Sequence, residues 1–129
     1  MRDGNVGTLL KIHEVDIMKN NFWQSLNDLV TETEIVIDRP KGSIHPRFPE
    51  YIYPYDYGCL KGTTSADGEG IDVWQIDNSK EVTGIIVTVD HLKKDSEIKI
   101  LLGATEKEAN EILQLHNRGD MLALLVLRN

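Results

Sequence analysis

The stretch Asp67-Gly-Glu-Gly-Ile-Asp72 sets three carboxylates within six residues, with two glycines between them. Glycine lets a backbone turn tightly and so brings the acids together. Clustered carboxylate oxygens suit hard cations such as Mg²⁺ or Ca²⁺. Alone, such a run is more often a solvated turn than a metal site. It is not an EF-hand loop, because the position eleven beyond Asp67 is Asn78, where that loop needs a bidentate Glu. Just upstream stand all four tyrosines, at 51, 53, 55 and 57. If that stretch is extended, a period of two puts the four phenols on one face. Acids, phenols and cations on neighbouring strands make a site for a metal-bound anion.

Elements of definite kind must hold these groups. Phe22, Trp23, Leu26, Leu29 and Val30 have the spacing of a short amphipathic helix. Residues 34–38 read as a strand that Pro40 stops, and all four prolines then fall between 40 and 54, an ordered loop or edge segment. Residues 71–76, 83–90 and 97–102 are strand-like, with short polar turns between them. Thr105-Glu-Lys-Glu108 is a capping box opening a helix to about His116, and residues 121–127 make a last strand. The whole predicts an α+β fold, a small OB-like β-barrel of five or six strands with a short N-terminal helix and one late helix. Residues 18–129 form its single domain. Residues 1–17 stay unassigned: 10–17 has the look of a strand, and Met18 could serve as an alternative start.

Composition narrows the class. A chain of 129 residues makes one domain with a modest core. The net charge of −7 argues against a general nucleic-acid binder, which would show a basic face. It leaves anionic substrates open, since bound metal ions invert a local field. The single cysteine, Cys59, cannot form an internal disulfide, which fits a reducing cytoplasm. No apolar run approaches a bilayer span and no secretory signal is visible, so the expectation is a cytoplasmic protein with no membrane partner.

Tyr53-Pro-Tyr-Asp-Tyr-Gly58 followed by Asp67-Gly-Glu-Gly-Ile-Asp72 resembles the soluble inorganic pyrophosphatases of the Mg²⁺-dependent β-barrel kind. Their pattern is Tyr-Pro-x-x-Tyr-Gly, a short spacer, then Asp-Gly-Asp-Pro-x-Asp. The likeness runs from about Ile35 to Asn117 and is specific in these two motifs. It implies that Asp67 and Asp72 bind catalytic metal and that Glu69 helps deprotonate the attacking water. It further implies Asp90 as a metal-binding acid, with Asp95 as the fallback, and Glu97 as another. Lys99, Arg47, Tyr57 and Lys41 become phosphate contacts, and Tyr53 orients its neighbours. Where the family carries a Tyr-Lys pair on its late helix, this chain has His116-Asn117, so His116 is a phosphate contact of lower charge. A histidine on the apolar face shared with Ala109, Ile112 and Leu113 is otherwise a satisfied core residue. Glu69 and Glu97 stand where the family has Asp, Gly70 where it has Pro, and Asp38 where it has Glu. The loop between Gly42 and Tyr53 is shorter than in typical members.

The expected activity is Mg²⁺-dependent hydrolysis of inorganic pyrophosphate, with catalysis resting on Glu69, Asp67 and Tyr57. Two alternatives stand beside it. One is hydrolysis of a larger phosphoanhydride such as a nucleotide, admitted by the shorter loop. The other is a non-catalytic, metal-dependent phosphate or nucleotide binder. A small barrel with apolar strands at its margins commonly assembles, and bacterial members of the resembled family are homo-oligomers, so a homo-oligomer is expected.

Overall fold

The computed structural model describes residues 4–129, with side-chain surroundings from residue 14 onward. Helix α1 (Gly4–Glu32) leads into strands β1 (Ile35–Arg39), β2 (Asp56–Leu60), β3 (Ile71–Gln75), β4 (Val82–Asp90) and β5 (Asp95–Leu102). Helix α2 (Glu106–His116) and strand β6 (Met121–Leu127) complete the chain. The fold is α+β, two helices on a six-stranded mixed sheet of small-barrel type, as expected. Its strand order is β1-β2-β3-β5-β4-β6, so β1 and β6 are the edges. Among the described residues, only β3 and β5 run parallel.

Alternation along the strands divides the side chains between two cores. On one side Leu60, Val73, Val82, Ile85 and Ile100 pack with Trp23, Leu26 and Val30 of α1. On the other, Trp74, Ile86 and Leu101 pack with Ala109 and Ile112 of α2, and all four tyrosines lie against this second cluster. The capping box forms as read from Thr105 and Glu108: the Thr105 hydroxyl accepts from the Glu108 N–H, and the Glu108 carboxylate accepts from the Thr105 N–H. The proline-rich loop is ordered by antiparallel bridging of Ile44 with Ile52.

Two expectations need correction. The N-terminal helix is 29 residues long rather than short. Residues 10–17, which alternate like a strand, lie inside it. No proline interrupts the chain before Pro40, so the helix that Trp23, Leu26 and Val30 anchor on the sheet continues backward through that stretch. β2 takes up the end of the tyrosine stretch, whose extended course was a condition in the sequence rather than a strand with bounds.

Gly58, the glycine of the tyrosine motif, is required by close approach of β1. A Cβ there would stand 1.8 Å from the Val36 carbonyl oxygen. Gly58 pairs with Ile37 just before the register shift between Ile37 and Arg39. Gly58→Ala is therefore expected to lower stability by about 1–3 kcal/mol, read as a lower urea midpoint at unchanged slope. An unchanged midpoint would show that β1 can move aside freely.

Candidate functional site

Strand register assembles a polar row across the α2 face. Cys59 pairs with Asp72, Asp72 with Lys99, and Lys99 with Ile86. Tyr57 lies two residues before Cys59 and so shares its side of the sheet. The side chains meet: the Lys99 ammonium donates to Asp72 Oδ2 at 2.7 Å and to the Tyr57 hydroxyl oxygen at 2.9 Å. The Tyr57 hydroxyl in turn donates to the same Asp72 oxygen at 2.6 Å. Glu97 Oε1 is 3.8 Å from the Lys99 ammonium. Only 7% of the Lys99 side chain is exposed, so its charge depends on these partners.

Asp67 reaches this group from the loop before β3. Its Oδ1 accepts from the Ser65 hydroxyl at 2.6 Å and from the Glu69 N–H at 2.9 Å. Gly68 completes the turn at a φ of +85°, where a side chain would be strained. The Ser65 hydroxyl bond, followed by the Glu69 amide, holds the Asp67 carboxyl below the usual range. Glu97 is shifted the other way. Burial is the main cause, and the charges of Asp67 and Asp72 add to it against the opposing pull of Lys99. Burial and then the Asp72 charge push the Tyr57 phenol far upward, so it keeps its proton and acts as a donor.

The remaining expected residues lie outside this cluster. Asp90 pairs across the β4–β5 hairpin with Asp95, four residue pairs from Lys99, a separation of about 13 Å along the strands. Its carboxylate accepts from the Lys93 N–H. The Lys41 ammonium lies 5.9 Å from the centre of the Tyr55 ring. Arg47 is exposed in the proline-rich loop, and its backbone N–H donates to His45 Nδ1. The Glu69 side chain is exposed at the loop surface. His116 faces the core: its Nε2 accepts from the Trp74 indole N–H at 3.0 Å. Burial, helped by the Lys99 charge, brings its pKa down to about 3, so the ring is neutral. A phosphate would meet a buried, already bonded imidazole, and His116 is instead the satisfied core residue. Tyr55 turns outward, with its hydroxyl 3.4 Å from Glu111.

Two residues escaped the sequence reading. Trp74 lies 4.7 Å from Tyr57 between ring centres and backs the phenol. Its signal was its place two residues after Asp72, hence on the same strand face. Ser65, which fixes Asp67, was legible as a hydroxyl two residues before an aspartate at a turn.

The donor chemistry of Asp67, Asp72 and Glu97 fits a hard divalent cation, since all three offer carboxylate oxygens. Their charge fits as well, three carboxylates against the one ammonium of Lys99. Among the described residues, however, no three acids, imidazoles or thiols stand close enough together to hold an ion. As arranged, Asp72 and Glu97 close on the ammonium. Also among the described residues, no helix is long and apolar enough to cross a membrane.

No protein-family model and no curated protein matches the chain significantly. Among solved structures, an inorganic pyrophosphatase from Helicobacter pylori is similar, with a TM-score of 0.50 and 11% sequence identity. The match covers 72% of this chain and 81% of that one. At this identity the likeness is one of fold.

The shift at Glu97 has a consequence for stability. Its folded pKa is raised, so its contribution is most favourable below the unfolded value of about 4.3 and is lost as pH rises through the folded value. Glu97→Gln is expected to melt higher than the parent protein at pH 7, with the difference closing toward pH 4. A lower melting temperature at pH 7 would show that the ion pair with Lys99 outweighs burial.

Proposed function

We propose that the chain hydrolyses a small phosphoanhydride, inorganic pyrophosphate foremost, at the Lys99–Tyr57–Asp72 cluster. The observation that carries this reading is the buried Lys99 ammonium. An ammonium has three donors, and Asp72 and Tyr57 take two of them, which leaves one for a phosphate oxygen. The similarity in fold to a pyrophosphatase supports the choice of substrate. The tyrosine and aspartate motifs of that family fall on the residues that gather here.

The carboxylates set the electrostatic condition. Asp67, Asp72 and Glu97 exceed the one ammonium by two charges, and a polyanion brought alone would be repelled. Mg²⁺ held by Asp67, Asp72 and Glu97 would supply the missing positive charge and acidify a bound water. The chain's own groups do the rest. Lys99 anchors a phosphate oxygen, and Tyr57, kept protonated, fixes Asp72 and the ammonium. Glu69, exposed at the loop surface two residues from Asp67, would be the base for a water activated at that loop. Arg47 and Lys41 in the proline-rich loop add charge for the leaving phosphate. Asp90 has no part in this reading, and neither does His116.

A second reading has its own support. Because Asp72 and Glu97 close on Lys99 and no three ligating groups gather among the described residues, the cluster could bind a phosphate ligand without turning it over.

Phosphate release from pyrophosphate decides between them. Release with Mg²⁺ that stops with chelator is expected, falling at least about a hundredfold in Asp72→Asn and in Lys99→Met. Mg²⁺-dependent binding without release would establish the binder instead. Release unaffected by either substitution would place the chemistry elsewhere.

A further inference from the structure

Helix α1 is longer than the sheet beneath it uses. Its 29 residues span about 43 Å at 1.5 Å per residue. Among the side chains described, from Glu14 onward, the buried ones are Trp23, Leu26 and Val30 of the C-terminal part. From Glu14 to Phe22 every residue is exposed. Val15, Met18 and Phe22 follow one another at spacings of three and four, so they form one stripe along the helix. They are exposed by 48%, 64% and 46%. A helical stretch with no packed face is marginal in water.

The same chain carries a second uncovered apolar surface. On the α1 side of the sheet, Leu122, Leu124 and Val126 of β6 pair with Val89, Val87 and Ile85 of β4. Ile85 is buried under α1. Beyond it the cover ends: Val89 is 48%, Leu122 62% and Leu124 65% exposed. The helix is continuous through Phe22 and Trp23, so its overhang cannot fold back onto this corner of its own sheet.

We propose that the occupant is a second copy of the chain. In a two-fold dimer, the overhang of each α1 lies across the β4–β6 corner of the other. Each copy offers both halves of the contact, as an isologous interface requires. Charge agrees with it: Glu14 and Asp16 flank Val15 on the helix, while Lys93 and Lys94 sit exposed in the turn beyond Val89. Size agrees too. Six exposed apolar side chains per copy, at about 80 Å² each, give roughly 1,000 Å² over both copies, about the least that a specific interface buries. Pairing along the free edge of β6 is the less open route. The Met121 N–H and carbonyl are bonded to Arg118, and those of Ala123 to the Asn117 amide.

Light scattering on the eluting full chain tests this independently of any activity. The parent protein is expected at twice the 14.6 kDa chain mass. Met18→Glu and Leu124→Glu, both at exposed positions, should each weaken association about tenfold or more with unchanged far-UV circular dichroism. An equimolar mixture of the two variants should regain dimer, because one helix–sheet contact in the mixed pair is intact. A monomeric parent protein, a dimer that either substitution leaves untouched, or a mixture that stays monomeric would each overturn the proposal. The last outcome would mean that helix meets helix or sheet meets sheet.

Discussion

The buried ammonium of Lys99 is the interaction on which the α2 face depends. A charge this far from water is tolerated only with close partners, and Asp72, Tyr57 and Glu97 supply them. The partners are fixed by backbone register rather than by loop chance. Asp72 stands directly beside Lys99 because β3 and β5 run parallel in that register. Tyr57 reaches both because β2 lies next to β3. Gly58 admits β1 against that strand. Removing the ammonium would leave Asp72 and Glu97 without their shared counter-charge, so these three groups are one electrostatic unit.

Behind the polar row the second core works as a support. The Trp74 ring backs Tyr57, and its indole N–H is held by the neutral imidazole of His116. Tyr53 lies 5.6 Å from Tyr57 and 5.8 Å from Trp74 between ring centres. Such a wall fixes the phenol with little freedom to turn, and it explains why a histidine at the end of α2 is spent on packing. The acidic loop is built differently. Asp67 is held by Ser65 and by the turn's own backbone, at the surface. One half of the site is therefore rigid and the other half is a turn.

Much of this was legible before any coordinates. The capping box, the late helix and the β3 to β6 strands follow from spacing and β-branched content. Lys99 and Glu97 were readable as neighbours on one face because strands have a period of two. What local pattern could not give is partnership across the sheet. That Lys99 would meet Asp72, and that Asp90 would lie about 13 Å from them, depends on which strands pair and in what register. His116 was readable as either core or ligand, and only its contact with Trp74 separates the two. The length of α1 was hidden for another reason: alternation over residues 10–17 mimics a strand, and nothing local shows that the helix after it continues backward.

In the proposed function, Lys99 and the carboxylates around it form an anion site that a divalent cation completes. Calorimetric titration with imidodiphosphate, a pyrophosphate analogue with a P–N–P bridge, tests it without relying on turnover. Binding is expected with Mg²⁺ present, none with chelator, and none in a folded Lys99→Met protein. Binding of equal strength in that variant, or binding that ignores Mg²⁺, would contradict it.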